Sequence, residues 1–155
     1  MSIEILAAQL SAEPIFVDVA VAAVEAPGCG AVVSFSGVVR NHDGGKDVLE
    51  LGYSAHPSAE RVLAEVVDDV LRAHGSEIDA GGSNIRIWAA HRIGPLRIGD
   101  AALVCAVATA HRQLAFSICA ALVDRIKDEV PIWKEQFFAD GSVEWVGAGS
   151  SAAPR

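Results

Sequence analysis

Two lysines lie seven residues apart near the end of the chain, on either side of a proline. Lys127 and Lys134 are two of three lysines in a chain that otherwise carries its positive charge on arginine. Pro131 ends any helix that contains Lys127, because the residue before a proline avoids the α region. Two interpretations follow: the ammonium groups converge on one pocket from different elements, or Lys134 lies on a solvated strand face beside Glu135.

The environment of Lys127 decides what chemistry it can do. A helix is predicted from Arg112 to about Glu129. At about 100° per residue, Phe116, Ala120 and Val123 lie close to Lys127, which places the lysine near the edge of the apolar side. Its ammonium group either extends to water or is partly desolvated, which lowers its pKa and suits it to proton transfer.

Other cations stand where predicted strands end. Arg40 ends an apolar strand, and either reaches a ligand or marks the point where the strand meets water. His111 and Arg112 join a strand to the helix N-terminus, where free amides and the helix dipole favour an anion. The alternative is that Arg112 pairs with a carboxylate and His111 caps the strand. For the pair His91-Arg92, a structural role is favoured.

Composition bounds the class of protein. The chain has 155 residues, of which 52% are hydrophobic, and a net charge of −8. These values predict one domain, residues 1–147, followed by a flexible tail, residues 148–155, of small residues. The acidic balance argues against nucleic acid as a partner, because phosphate neutralisation needs a basic face. A small anionic ligand needs only a local cluster of cations.

The sequence predicts no metal site, no cofactor and no membrane segment. Cys29, Cys105 and Cys119 have no CxxC spacing, and the last two lie in apolar runs typical of buried thiols. No apolar run approaches the roughly 20 residues that cross a bilayer, and the first residues lack the basic start of a signal peptide. We therefore expect a cytoplasmic protein.

Strands and helices alternate irregularly along the chain. Besides the helix of Lys127, the patterns predict helices at 15–25 and 58–74, with Ser58 as a cap and Gly75 beyond the end, and strands at 30–40, 48–56, 84–90, 101–110, 132–138 and 143–146. The first two strands are predicted to form a hairpin, and so are the last two, across Asp140-Gly141. The fold class predicted is α+β, with helices packed on a mainly antiparallel sheet.

Four segments, in this order, resemble the large, catalytic subunit of molybdopterin synthase. They are Ser36-Gly37-Val38-Val39-Arg40-Asn41; His91-Arg92-Ile93-Gly94-Pro95-Leu96 with Gly99-Asp100; Ala110-His111-Arg112; and Lys127 with Pro131-Ile132-Trp133-Lys134. The resemblance extends from about Gly30 to Val146, and includes the proline between the two lysines.

The resemblance implies a fold of the α/β-hammerhead type and a homodimer. It also implies a partner at each end of the dimer, a small ubiquitin-like sulfur-carrier subunit whose Gly-Gly C-terminus carries a thiocarboxylate. The implied substrate is cyclic pyranopterin monophosphate, also called precursor Z. Two sulfurs are transferred to it, which forms the dithiolene of molybdopterin.

The resemblance also implies roles for five residues. The family's essential lysine corresponds to Lys127 and its second pocket lysine to Lys134. The residues expected to hold phosphate and pterin are Arg40, His111 and Arg112, with a dimer interface as one way to bring them together. Cations suit this chemistry, because substrate and thiocarboxylate are both anionic and negative charge builds on oxygen during transfer.

Two other functions fit the residues alone. One is a non-enzymatic α+β module that binds a small anionic metabolite. The other is an enzyme in which Lys127 forms a Schiff base with a carbonyl substrate.

Overall fold

The computed structural model describes residues 2–81 and 84–147, and the predicted flexible tail, 148–155, lies outside this part. In chain order the elements are β1 (Ile3–Ser11), α1 (Val17–Val24), β2 (Ala31–Val38), β3 (His42–Asp43), β4 (Lys46–Ala55), α2 (Ala59–Ala73), α3 (Gly75–Gly81), β5 (Ile85–Arg92), β6 (Gly94–Arg97), β7 (Ala101–Thr109), α4 (Arg112–Glu129), β8 (Ile132–Phe138) and β9 (Val143–Gly147).

A four-stranded sheet lies between two layers of helices. Its strand order is β1-β5-β7-β2, with β1 and β5 parallel and the other pairs antiparallel. β7 is buried on both faces, as its apolar run predicts. Cys105 and Val107 pack into the core with α2 and α4, whereas Val104 and Ala106 pack with α1 on the opposite face. The predicted α+β, hammerhead-type architecture, with helices on a mainly antiparallel sheet, is confirmed.

A second sheet carries part of the candidate site. Its strand order is β3-β4-β8-β9. A fifth strand, β6, also pairs with β4. The predicted hairpin of β8 and β9 is confirmed. Gly141, at its turn, has a φ of 86°, a conformation that glycine adopts at little cost.

The predicted hairpin of the strands at 30–40 and 48–56 is wrong. β2 pairs with β7, and β4 pairs with β8 and β6. The chain leaves the first sheet at Val39, whose N–H donates to the carbonyl of Asp100 at 2.9 Å. Val33 and Phe35 pack against the α2–α4 core only when β2 lies in the first sheet, so packing decides the pairing.

Three local predictions also need correction. β1 was not predicted, since its apolar residues are half exposed and follow no clean alternation. Gly75 does not end the helical region but begins α3. The strand predicted at 84–90 continues to Arg92 as β5, and the short strand β6 follows it.

Helix α4 has the predicted bounds and connects the two sheets. At its start His111 is the extended N-cap residue, and Thr109 donates its hydroxyl to the His111 carbonyl at 2.6 Å. At its end Val130 is extended, with φ −74° and ψ 123°, as expected of a residue before Pro131. The chain then enters β8, so the residues before and after Pro131 belong to different elements.

Candidate active site

Lys127 and Lys134 border the same two adjoining cavities. Lys127 lies in the last turn of α4, and Lys134 lies on β8, after the break at Pro131. Both lysines line a cavity of about 160 Å³ and a neighbouring one of about 240 Å³. The structure therefore favours convergence over the interpretation of Lys134 as a solvated strand residue.

The register of the second sheet places the other wall residues beside Lys134. Tyr53 of β4 and Val146 of β9 are its direct partners on either side. Directly paired residues share a face of an antiparallel sheet, and so does Gln136, two positions along β8. This face of the sheet and the end of α4 therefore line the same cavity.

The smaller cavity has a mixed lining, with polar groups at Tyr53, His91 and the two lysines. Its lining residues are Tyr53, His91, Ile126, Lys127, Val130, Ile132, Lys134, Val146 and Gly147. The larger cavity is more polar. It adds Arg40, His42, Asp43 and Gln136 to Tyr53 and the two lysines, with Gly37, Val38, Val39, Leu51, Ala102 and Leu103 as its apolar wall.

The two lysines differ in their contact with water. Lys127 is exposed beside the buried Ile126, so its ammonium group extends to water, the first of the two alternatives. Lys134 is half-buried. Burial lowers the pKa of Lys134, the cations Lys127 and Arg40 lower it further, and Asp43 opposes them. The partly desolvated lysine is therefore Lys134.

His91 is a functional candidate to which the sequence assigned a structural role. It is 7% exposed, and its Nδ1 is 2.7 Å from the carbonyl oxygen of Arg92. Desolvation lowers the pKa of His91 to about 4, and the charge of Lys127 contributes to the shift. The ring also meets Tyr53 edge to face, with 4.9 Å between the ring centroids. At neutral pH it is therefore an uncharged hydrogen-bonding group in the wall of the smaller cavity.

Tyr53 is the second such group. Burial raises the pKa of Tyr53 to about 12, so its hydroxyl stays protonated at neutral pH. The sequence contained no local signal for it, because its position depends on the pairing of β4 with β8.

Asp43 connects two members of the larger cavity. Its Oδ1 is 3.4 Å from Nη2 of Arg40, and its Oδ2 accepts a hydrogen bond of 2.8 Å from Nε2 of Gln136. The hydrogen bond from Gln136 and the charges of Lys134 and Arg40 hold the pKa of Asp43 below its usual value.

His111 and Arg112 lie at the opposite end of α4. From Arg112 to Lys127 the helix rises by roughly 22 Å at 1.5 Å per residue. The pair borders a separate depression with Gly30 and Ala31, at the start of β2. The structure therefore brings Arg40, Lys127 and Lys134 together, and within one chain it keeps His111 and Arg112 apart from them.

No metal site is apparent in the described ranges, and two of the three cysteines there are buried. No group of three or more His, Cys, Asp or Glu side chains there could hold a metal ion. Cys105 and Cys119 are buried, and burial raises the pKa of Cys119 to about 11. Across residues 2–81 and 84–147, no helix is long and apolar enough to cross a membrane.

Comparison with known proteins supplies the family. The model of the family described as MoaE protein matches residues 10–129. Molybdopterin synthase catalytic subunit 1 of Mycobacterium tuberculosis is 38% identical over 140 residues, covering 90% of this chain and 89% of the relative. The catalytic subunit of Bacillus subtilis is 35% identical over 140 residues, covering 90% and 83%.

Solved structures agree with the sequence relatives. The molybdopterin synthase structure from Staphylococcus aureus superposes with a TM-score of 0.74 at 34% identity, covering 89% of this chain and 95% of that chain. The MoaE protein of Burkholderia ambifaria superposes with a TM-score of 0.72 at 26% identity, covering 98% and 93%. With its fold, its two-lysine site and these matches, the chain belongs to the MoaE protein family.

Proposed function

We propose that this protein is the catalytic subunit of a molybdopterin synthase. It transfers sulfur from the thiocarboxylate of a small ubiquitin-like carrier to cyclic pyranopterin monophosphate, and so acts in molybdenum cofactor biosynthesis. Family membership supports the activity, since the relatives from Mycobacterium tuberculosis and Bacillus subtilis are molybdopterin synthase catalytic subunits. The observation that carries the proposal is the meeting of Lys127 and Lys134 at one pair of cavities in a chain of net charge −8.

The two cavities suit the two reactants. The smaller cavity is bounded by the end of β9 at Val146 and Gly147 and carries both apolar and hydrogen-bonding groups, which suits an extended Gly-Gly tail with a terminal thiocarboxylate. The larger cavity contains Arg40 and fits the anionic substrate. Lys127 and Lys134 border both, where the acyl C–S bond of the carrier breaks and a C–S bond to the substrate forms. An oxygen from water takes the place of sulfur on the acyl carbon.

The residues have distinct proposed roles. Lys127 is the acid/base at the pterin side chain, and Lys134 binds the carboxylate end of the carrier. Arg40 binds the phosphate. Neutral His91 and protonated Tyr53 add hydrogen bonds near the reacting atoms, because both are uncharged at neutral pH. Cations placed where negative charge develops are most effective away from bulk water, as at half-buried Lys134.

His111 and Arg112 complete the site from a second copy of the chain. β2 begins at the His111–Arg112 depression, with Ala31 paired to Thr109, and runs toward Arg40. A two-fold axis near β2 would therefore bring the pair of one copy toward Arg40 and the lysines of the other. The proposed assembly is a homodimer with one carrier subunit at each end, and its proposed location is the cytoplasm.

A second function receives support from one observation. A lysine with a lowered pKa is suited to condense with a carbonyl group, and Lys134 has this property. A Schiff-base enzyme would therefore use Lys134 rather than Lys127. Borohydride reduction in the presence of a carbonyl substrate would trap it as a stable adduct, whereas the synthase gives no such adduct.

The deciding experiment is a sulfur-transfer assay with purified components. The full chain is mixed with a thiocarboxylated carrier and cyclic pyranopterin monophosphate, and the dithiolene product is measured. Product that depends on all three components supports the proposal. A chain that binds the carrier and the substrate but forms no product contradicts it, and leaves the non-enzymatic binding module as the better reading.

A further inference from the structure

Asp43 is an acidic side chain in the middle of a cationic site. Its carboxylate lies between Arg40, 3.4 Å away, and Gln136, whose Nε2 donates to it at 2.8 Å. Lys134 also acts on it electrostatically. An anionic ligand that enters the larger cavity therefore meets an Arg40 that already has an anionic partner.

Gln136 fixes the position of this carboxylate. It is 2% exposed on β8, and a buried amide without a partner is unfavourable, so its hydrogen bond to Asp43 defines where the carboxylate stays. The two residues are 93 positions apart in sequence, on β3 and β8. The same bond is the largest cause of the lowered pKa of Asp43, so the carboxylate remains charged at neutral pH.

Arg40 can exchange its contact with Asp43 for a contact with a ligand. The Arg40 side chain is 63% exposed and that of Asp43 33%, and exposed ion pairs are weak. Asp43 also directly precedes the turn of Gly44 and Gly45, which have φ values of 56° and 78° and open space around them. The exposed Arg40 side chain can therefore leave the carboxylate, while Gln136 keeps the carboxylate in place.

We propose that Asp43 is a built-in competing anion, a positioning residue that pairs with Arg40 when no ligand is bound and yields it to a more highly charged anion. A carboxylate ligand carries the same single charge as Asp43 and gains little from the exchange. A phosphate dianion carries more charge and displaces Asp43 from Arg40. Asp43 thereby makes the larger cavity selective for phosphate-class anions over carboxylates, including the carrier's own carboxylate product.

The proposal rests on the proposed function for the identity of the natural anion, but its test needs no turnover. Binding of inorganic phosphate and of acetate to the full chain is measured by calorimetry at low salt and at a pH where phosphate is a dianion. The wild-type protein is expected to bind phosphate and to bind acetate poorly. Asp43→Asn is expected to bind phosphate several-fold more tightly and to bind acetate as well.

The matched control is Asp47→Asn, which removes an equal charge from the other strand of the same hairpin, at an exposed position. It is expected to leave both affinities unchanged. Phosphate binding by Asp43→Asn that equals or falls below that of Asp47→Asn overturns the proposal. Asp43→Ser, a second neutral variant, must shift affinity in the same direction if the charge is the cause.

Kinetics distinguish this role from a structural one. Asp43→Asn is expected to lower KM for the phosphorylated substrate without raising kcat, whereas a variant that merely disturbs the fold lowers kcat and stability together. If Asp43→Asn binds phosphate more tightly but the wild-type protein transfers no sulfur, the proposed function is wrong and the competing anion is supported. Sulfur transfer by the wild-type protein, with phosphate binding unchanged in Asp43→Asn, would support the proposed function and overturn the competing anion.

Discussion

Lys127 and Lys134 line the same two cavities from either side of the break at Pro131. The two ammonium groups are brought together by the meeting of a helix end with a strand, and neither is in an ion pair that would neutralise it among the described residues. Such like charges are retained where an anion is bound, because the ligand then removes the repulsion between them.

Replacement of either pocket lysine is expected to abolish most of the sulfur transfer. Lys127→Ala removes the proposed acid/base, and general acid/base groups contribute about 10²- to 10⁴-fold. The third lysine supplies the control, because Lys46 pairs with Asp140 at 3.4 Å, outside the site. In single-turnover assays Lys46→Ala should match the wild-type protein, and near-normal product from Lys127→Ala would disprove its role.

The pH dependence should report Lys134. Its pKa is lowered, so the ammonium form that binds the carrier carboxylate is lost as pH rises through this lowered value. The alkaline limb of the kcat/KM profile should therefore lie below the range of an ordinary lysine. Arginine stays charged to above about pH 12, so Lys134→Arg should move the limb upward. A limb unmoved in Lys134→Arg, with Lys46→Arg as control, would assign it to another group.

Hybrid dimers should show whether the site is shared between two copies. Lys127→Ala and Arg112→Ala chains are each expected to be inactive alone. A dimer with one copy of each contains one doubly altered site and one intact site. Random mixing after denaturation and refolding should thus restore about a quarter of the wild-type activity. A mixture no more active than its components would place His111 and Arg112 outside the site.

Gly30 should tolerate no side chain. A Cβ at this position would lie 2.7 Å from the carbonyl oxygen of Ala110, a backbone atom beside His111. Gly30→Ala is expected to lower the free energy of unfolding by about 1–3 kcal/mol. Gly75→Ala, where a Cβ meets no atom within 4 Å, is the control. Equal urea midpoints for the two variants would show that the junction between β7 and α4 accommodates the added Cβ without loss of stability.

Buried His91 should make the fold acid-sensitive. Its pKa is about 4 in the folded protein and about 6.5 in the unfolded chain. The unfolded state therefore binds more protons between these values, and stability falls as pH drops from about 6.5 to 4, by up to about 3 kcal/mol from this group.

The measurement is urea unfolding of the wild-type protein and His91→Gln at pH 7 and pH 4.5. The glutamine variant should lose less stability on acidification, since glutamine does not titrate. Equal losses in the two proteins would mean that His91 is not the group responsible.

The sequence correctly predicted the helices and strands whose ends are set by neighbouring residues. Pro131 terminates α4 and separates the lysines, and Asp140-Gly141 forms the turn of the last hairpin. β2 and β4 were found as strands but paired wrongly, because pairing depends on which core each face buries.

The same reason explains what was missed in the site. His91 enters it only because the fold brings the end of β5 to the cavity that Ile126 and Lys127 of α4 also line. Asp43 meets Gln136 only because β3 and β8 flank β4. The cationic residues could be recognised in the sequence from their types and spacing. Their neutral and acidic neighbours are brought to them by the pairing of strands that are distant in sequence.

The parallel pairing of β1 with β5 has a consequence for synthesis. Ile3 lies beside Ile85, so the first strand leaves the ribosome long before its neighbour in the sheet has been made. Loop closure over such a separation is slow, and an unpaired apolar strand can meet strands of other chains. During synthesis β1 therefore cannot dock onto its place in the sheet until β5 has been made, and until then its apolar residues lack their partner strand.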